Sequence, residues 1–176
     1  MNYLHAINPG SDDAMNVIVE IPRDSNNKYE IDKETGMIAL DRAMHTAQSY
    51  PFDYGFIPQT RWDDGDALDV VLLTTYSLDP GILVRTRPVG IMTMTDGGES
   101  DDKLIGVPVD DPRWDDVVDI DDVHDHTIKE IEHFFRTYKD LQDDAIQIEG
   151  FDGVDEAKAA FKRARQLYEQ AFSDTQ

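Results

Sequence analysis

Short apolar runs separated by glycine and proline occupy the first two thirds of the chain and predict β-strands. The runs cover residues 17–21, 68–75, 82–91 and 104–109. Pro88 within the third run predicts an edge strand or a bulge, because proline has no N–H to donate to a strand ladder. Several short strands with this punctuation are typical of a small barrel.

Residues 29–32 and 37–41 predict a hairpin, because the turn sequence Glu34-Thr35-Gly36 separates them. Lys28 and Glu30 alternate with the intervening tyrosine, so they are expected on one face of the first strand. Arg42 directly follows the second strand. Taken singly, each of these cations is better explained as a surface charge.

Apolar residues at helical spacing predict two helices in the last third of the chain. The first stripe contains Ile128, Ile131, Phe135 and Tyr138, and the second contains Ala157, Ala160, Phe161, Ala164, Leu167, Tyr168 and Ala171. Thr127 and Glu130 predict a capping box at the start of the first helix. Asp152, Asp155 and Glu156 suit the N-terminus of the second helix. Both stripes are expected to pack against the barrel.

These elements predict a mainly β fold with α-helices, in which a small barrel is flanked by two helices. The length of 176 residues favours a single domain over residues 1–176. Hydrophobic residues make up 40% of the chain, which is enough to fill one core without a disulfide or a structural metal. Cysteine is absent, which excludes disulfides, thiolate zinc sites and cysteine nucleophiles.

The charge balance of the chain is strongly acidic and excludes several classes of partner. There are 37 acidic and 16 basic residues, which give a formal net charge of −21. This argues against binding to nucleic acid or to an anionic membrane surface, both of which require a basic face. No apolar run approaches a membrane span, and the N-terminus does not resemble a signal peptide. We therefore expect a cytoplasmic location.

The acidic residues are mostly aspartate, 28 against 9 glutamates. Such an excess of one charge repels itself and opposes a compact state at low ionic strength. At about 1 M salt the screening length falls to roughly 3 Å, and most of this repulsion disappears. The composition suggests a hypothesis of adaptation to molar salt, with an ordinary acidic protein as the alternative.

The most distinctive local pattern is Asp64-Gly65-Asp66-Ala67-Leu68-Asp69, directly before an apolar strand. Gly65 permits a turn that lets neighbouring carboxylates converge. Carboxylates packed at this density need cations or solvent, and hard oxygen ligands suit Mg²⁺ or Mn²⁺. The alternative is a solvated acidic loop. A second acidic loop, residues 96–103, is rich in glycine and by itself is better explained as a solvated turn.

The ordered set of these segments resembles the soluble inorganic pyrophosphatases of the family I type over nearly the whole chain. The match is carried by Val19-Glu20-Ile21-Pro22, Lys28-Tyr29-Glu30-Ile31-Asp32, Asp41-Arg42, Tyr50-Pro51-x-x-Tyr54-Gly55, Asp64-Gly65-Asp66-x-x-Asp69-Val70, Arg87-Pro88-Val89-Gly90, Met94-Thr95-Asp96, Asp101-x-Lys103 and His133-Phe134-Phe135-x-x-Tyr138-Lys139. The resemblance implies a five-stranded barrel related to the OB fold, flanked by helices. It implies Mg²⁺-dependent hydrolysis of inorganic diphosphate to two phosphates, with Mn²⁺ as a possible substitute, and a homohexamer.

The resemblance also implies a role for each matching residue. Asp66 matches the residue that takes a proton from the attacking water, and Tyr54 matches a tyrosine near the electrophilic phosphate. The implied metal ligands are Asp64, Asp69, Asp101, Asp96, Glu20 and Glu30. The implied substrate-binding residues are Lys28, Arg42, Tyr54, Lys103, Tyr138 and Lys139.

The chain departs from the family pattern at two places. Ala67 stands where the family usually has proline, which predicts a less rigid loop without loss of a ligand. Asp102 lies beside Asp101, and either side chain has the chemistry to bind metal, although the spacing favours Asp101.

Two other functions remain open from the residues alone. One is an OB-like binding module that holds a metal or ligand without catalysis, but such a module would not need Lys28, Arg42, Lys103 and Lys139 together. The other is a Mg²⁺-dependent phosphohydrolase that acts on nucleotides.

Overall fold

The computed structural model describes residues 2–142 and 144–172, and it is mainly β with three α-helices in that part of the chain. The strands are β1 (Gly10–Ser11), β2 (Ala14–Ile21), β3 (Asn27–Ile31), β4 (Ile38–Ala43), β5 (Asp53–Phe56), β6 (Asp69–Leu72), β7 (Leu83–Asp96), β8 (Glu99–Ser100), β9 (Lys103–Pro108) and β10 (Ile146–Asp152). The helices are α1 (Tyr3–Ala6), α2 (Asp125–Thr137) and α3 (Val154–Phe172). No helix among the described residues is long and apolar enough to cross a membrane.

Five strands close into the predicted barrel, in the order β2, β5, β6, β9, β7 and back to β2. Strands β6 and β9 pair in parallel, and the other barrel pairs are antiparallel. The register shifts between Pro88 and Gly90, which confirms the predicted bulge and bends the long strand β7. A Cβ at Gly55 would lie 2.0 Å from the carbonyl oxygen of Ile18, so β5 approaches β2 as closely as only glycine allows.

Both large helices bury the predicted apolar stripes. Helix α2 contributes Ile131, Phe134 and Phe135 to an aromatic core cluster, and α3 packs Ala160 and Phe161 into a second cluster. The stripe on α3 is buried only as far as Ala164, and Ala171 near its end is exposed. The first cluster includes strand residues that also border the cavity described below, so α2 connects the core to that cavity.

The predicted hairpin forms a separate two-stranded sheet of β3 and β4 that covers the outer face of β2. Its residues Ile31 and Ile38 pack with Leu4 of α1 against a small cluster that contains Ile18 and Phe56. The outer face of β2 is therefore buried as well as the inner one. The hairpin becomes one wall of a cleft whose other wall is the end of the barrel.

Two predictions about the helix ends were wrong. Helix α2 begins at Asp125, and the His124 side chain caps it by accepting from the His126 N–H at 3.1 Å, so Thr127 lies inside the helix. Asp152 is the last residue of β10 and not part of the second helix, whose first N–H is bound by Asp119 at 3.1 Å. Strands β5 and β10 were not predicted, because neither has a long apolar run.

Asp53 is a fully buried carboxylate that joins three segments of the chain. Its Oδ1 accepts from the backbone N–H groups of Arg23 at 2.8 Å and Leu78 at 3.2 Å, and from the Ser77 hydroxyl at 3.2 Å. Its Oδ2 accepts from the Thr74 hydroxyl. These bonds connect the segment before the hairpin to the segment after β6, at the start of β5.

We expect Asp53→Ala to lower the free energy of unfolding by about 3 kcal/mol, because two partly buried backbone N–H groups and the Thr74 hydroxyl lose their acceptor. Urea denaturation measures the change. Asp53→Asn, which retains one acceptor oxygen, should lose less, and the exposed control Asp79→Ala should change stability by under about 0.5 kcal/mol. A loss below about 1 kcal/mol in Asp53→Ala would show that the network contributes little.

Candidate active site

A cavity of about 250 Å³ lies between the hairpin, one end of the barrel and the end of α2. Twelve of the thirteen predicted site residues line it. They are Glu20, Lys28, Glu30, Tyr54, Asp64, Asp66, Asp69, Asp96, Asp101, Lys103, Tyr138 and Lys139. These residues come from segments spread over more than a hundred positions, so the fold assembles the set that the resemblance implied.

The floor of the cavity is built by the parallel pair of strands. Asp69 and Lys103, the first residues of β6 and β9, are direct partners in register, so their side chains lie on the same face. The Lys103 ammonium lies 2.6 Å from Asp69 Oδ2 and also pairs with Asp101. Tyr54 is diagonal to Asp69 across β5 and β6, and its hydroxyl donates to Asp69 Oδ2 at 2.5 Å.

The second acidic loop forms another wall of the cavity. Gly97 and Gly98, with φ of +57° and +88°, make a two-residue turn between β7 and β8 that sets Asp96 opposite Glu99. The chain then returns, and Asp101 lines the cavity beside this turn. The Lys139 ammonium at the end of α2 pairs with Asp96. The loop is therefore part of the site and not only a solvated turn.

Glu20 is a buried carboxylate on β2. The β2–β5 register shifts between Val19 and Ile21, so Glu20 occupies a bulge, and bulges commonly redirect a side chain beside an active site. The Ile31 N–H of the covering hairpin donates to Glu20 Oε1 at 2.7 Å. Burial, and secondarily the charge of Asp69, raise the pKa of Glu20 well above its ordinary value.

Hydrogen bonds hold the acidic loop of residues 64–69 in place. Gly65 has φ of +88°, the Asp66 N–H donates to Asp64 Oδ1 at 2.9 Å, and the Trp62 N–H donates to the Asp66 carbonyl at 2.7 Å. Ala67 packs against the Leu4 cluster behind the hairpin. The Asp66 carboxylate is 56% exposed at the cavity mouth, where it pairs with the ammonium of Lys33.

The cavity carries an excess of negative charge. Eight carboxylates and four lysines line it, and Lys28, Lys103 and Lys139 are already paired with carboxylates. Burial raises the pKa of Asp64, and it raises that of Asp101 to about 7. Burial alone would lower the pKa of Lys103, but the charges of Asp69 and Asp101 outweigh it and raise the pKa. The lysine therefore stays charged and leaves the carboxylates incompletely compensated.

The chemistry of these donors fits a hard divalent cation. Mg²⁺ and Mn²⁺ prefer carboxylate oxygens and retain some of their waters. In residues 2–142 and 144–172, no three aspartate, glutamate or histidine side chains already surround a single point. Lys103 accounts for part of this spacing, because its ammonium lies between Asp69 and Asp101. Binding of a cation would require the side chains of this group to converge.

Three buried tyrosines surround the floor of the cavity. Burial raises the pKa of Tyr50, Tyr54 and Tyr138 above that of free tyrosine. Their hydroxyls therefore remain protonated at neutral pH, and that of Tyr54 already donates to Asp69. The ring of Tyr138 also stacks on Phe134, which holds the last turn of α2 against the core.

Two of the candidate residues lie outside the cavity. Arg42 pairs across the hairpin from Lys28, its guanidinium bonds Asp41, and its buried Nε has no partner among the described residues. Asp102 faces away, since its Oδ1 accepts from the Met94 N–H at 3.1 Å. The geometry therefore favours Asp101 over Asp102 as the cavity carboxylate, as the spacing suggested.

Sequence reasoning did not assign two charged residues that line the cavity, Lys33 and Glu99. Lys33 lies in the turn of the hairpin and meets Asp66 only because the hairpin folds over the barrel. Glu99 lies opposite Asp96 in the glycine turn. The strict two-residue turn was the available signal for Glu99, whereas Lys33 had no local signal.

Comparisons with known proteins agree with this geometry. The family model described as inorganic pyrophosphatase matches residues 17–169. An inorganic pyrophosphatase of Picrophilus torridus is 42% identical over 170 residues and one of Haloferax volcanii is 43% identical over 166, with at least 94% of each chain covered. The crystal structure of the inorganic pyrophosphatase from Thermus thermophilus superposes with a TM-score of 0.92 at 39% identity, over 96% of this chain and 99% of that chain.

Proposed function

The chain belongs to the inorganic pyrophosphatase family, and we propose that it hydrolyses inorganic diphosphate to two phosphates in a Mg²⁺-dependent reaction within the cavity. It is an enzyme, an inorganic diphosphatase, with a mainly β, barrel-like fold. The observation that carries the proposal is the convergence of twelve of the thirteen implied residues on one cavity. We treat residues 1–176 as one catalytic domain.

The need for a cation follows from the charges that line the cavity. Diphosphate is a multiply charged anion, yet carboxylates outnumber lysines there by two to one. Substrate binding therefore requires added positive charge. We assign this to Mg²⁺, with Mn²⁺ as a substitute, held by Asp64, Asp69, Asp101, Asp96, Glu20 and Glu30. Divalent cations bound there would neutralise phosphate oxygens and lower the pKa of the attacking water.

We assign the remaining roles in the reaction to side chains by their position in the cavity. Asp66 is an accessible carboxylate at the mouth, and in the proposed reaction it would accept the proton of the attacking water, the role that the resemblance implies. Lys28, Lys103 and Lys139 present ammonium groups to phosphate oxygens and stabilise the negative charge that develops on the leaving group. Tyr54 and Tyr138 are protonated donors, and Arg42 completes the set if its guanidinium turns from Asp41.

The two other candidate functions are less well supported. A binding module without catalysis does not need an accessible carboxylate beside three lysines that point into the same cavity. A nucleotide phosphohydrolase requires a surface for the base, and the cavity is lined mainly by charged residues. An assay can separate all three.

The deciding assay measures phosphate release from diphosphate, ATP and a phosphate monoester, with and without Mg²⁺. We expect release from diphosphate with Mg²⁺ and little release otherwise. Asp66→Asn should lower kcat by at least about a hundredfold, as expected for loss of a general base, with the far-UV spectrum unchanged. Wild-type turnover in that variant would remove Asp66 from the role, and preference for ATP would replace the proposed substrate.

Asp101 and Asp102 form a matched pair for testing metal binding. We expect Asp101→Asn to raise the Mg²⁺ concentration for half-maximal activity by about tenfold or more, as for loss of a charged ligand. Asp102→Asn should leave it unchanged, because that carboxylate bonds the Met94 N–H instead. A Mg²⁺ titration of both variants checks this, and the opposite order would reassign the ligand.

We also propose that the enzyme is adapted to high salt and works in a salt-adapted prokaryote, as a cytoplasmic homohexamer. The net charge of −21 supports the salt adaptation, because this self-repulsion is relieved by screening. The cytoplasmic location and the hexamer are supported by the family resemblance, and sedimentation in concentrated KCl tests the assembly.

Thermal unfolding between about 0.1 and about 3 M KCl tests the salt adaptation. We expect the midpoint to rise with salt as repulsion between carboxylates is screened. A midpoint that is flat or falls would contradict it. Tetramethylammonium chloride at equal ionic strength is a useful comparison, because it screens charge without K⁺.

A further inference from the structure

Lys33 is an exposed cation at the mouth of the catalytic cavity. Its side chain is 66% exposed, whereas that of Lys103 on the cavity floor is 3% exposed. Lys28 and Lys139, the other two lysines that line the cavity, are also mostly buried. Lys33 is therefore the cavity lysine whose ammonium can move without disturbing the core.

The backbone that carries Lys33 is held in place. Asp32 Oδ1 accepts at 2.6 Å from both the N–H and the hydroxyl of Thr35, and the Gly36 N–H donates to the Asp32 carbonyl at 2.7 Å. Gly36 has φ of +69°, and a Cβ there would lie 2.7 Å from the Cα of Asn2. The turn is therefore pinned against the start of the chain, so only side chains need to move for the Lys33–Asp66 pair to open.

The Lys33–Asp66 ion pair is weak, so a phosphate oxygen of the substrate can compete with it for the Lys33 ammonium. Both side chains are more than half exposed, and ion pairs of this kind contribute little to stability. A lysine that donates to a phosphate oxygen also makes a charge-assisted hydrogen bond, and diphosphate carries more negative charge than a single carboxylate. Because the Lys33–Asp66 pair is exposed and weak, diphosphate entering from the mouth would compete with Asp66 for this ammonium.

We propose that Lys33 exchanges partners during the reaction: it pairs with Asp66 before substrate binds and with a phosphate oxygen afterwards. The inference rests on the proposed function and adds a substrate-binding residue to it. In the free enzyme the Lys33 ammonium is paired with a carboxylate oxygen of Asp66. Transfer of the ammonium to diphosphate would leave the Asp66 carboxylate without this partner.

The first experiment compares Lys33→Met, Lys33→Arg and Lys162→Met. Lys162 is a matched control, because its side chain is 63% exposed and pairs with Asp12 at 2.8 Å, away from the cavity. We expect Lys33→Met to raise KM for diphosphate about tenfold, as for loss of one charge-assisted hydrogen bond, with kcat within about threefold. Lys33→Arg should retain most of the affinity, and Lys162→Met should match the wild type.

A second experiment separates direct phosphate binding from an effect through Asp66. Isothermal titration with inorganic phosphate in Mg²⁺ compares Asp66→Asn with Asp66→Asn/Lys33→Met. If Lys33 binds phosphate itself, the double variant binds about tenfold more weakly. Equal affinities would show that Lys33 acts only on Asp66, and the inference would fail.

The outcomes distinguish this inference from the proposed function. If the wild type does not release phosphate from diphosphate, the proposed function fails and the inference fails with it. If the wild type is active but Lys33→Met has the KM of Lys162→Met, only the inference fails. A fall in kcat at unchanged KM in Lys33→Met would also overturn it.

Discussion

The ammonium of Lys103 lies between the carboxylates of Asp69 and Asp101, almost completely removed from water. A buried charge of this kind is tolerated only with partners of opposite charge, and the parallel pairing of β6 with β9 supplies the first of them directly in register. Tyr54 donates to the same carboxylate from the neighbouring strand β5. Lys103 thus offsets part of the repulsion between these two carboxylates, and the rest of the site is arranged around this group.

The same charges are the basis for the proposed role of added cations. Lys103 compensates two carboxylates only in part, and burial still raises the pKa of Asp64 and Asp101. Under the proposed function, divalent metal would compensate both the anionic substrate and the anionic cavity. The proposed salt adaptation concerns the net charge of the whole chain, whose self-repulsion monovalent salt would screen. The charges that line the cavity and the net charge of the chain can be considered separately, because the screening length at about 1 M salt is only roughly 3 Å.

The lysines that line the cavity fall into two groups that differ in burial. Lys103 and Lys139 are held by carboxylates within the walls, where displacement would leave a buried charge without a partner. Lys33 lies on a pinned turn with its ammonium in solvent, where exchange between partners has little cost. The hairpin that carries it covers β2 through Ile31 and Ile38. Packing of the hairpin thus positions both a fixed wall of the cavity and the movable side chain of Lys33.

Periodicity predicted the barrel, the hairpin and both large helices, and the resemblance carried by the short motifs implied thirteen site residues, of which twelve line the cavity. Those features are determined by local hydrophobic spacing and by chemistry encoded in short segments, such as Asp64 to Asp69. Tertiary structure alone decided the rest: the bulge that buries Glu20, the position of Arg42 outside the cavity, the capping of α3 by Asp119, and the contact of Lys33 with Asp66. Each of these depends on a contact between segments distant in the chain or on a register shift of one residue, and neither leaves a periodic trace in the sequence.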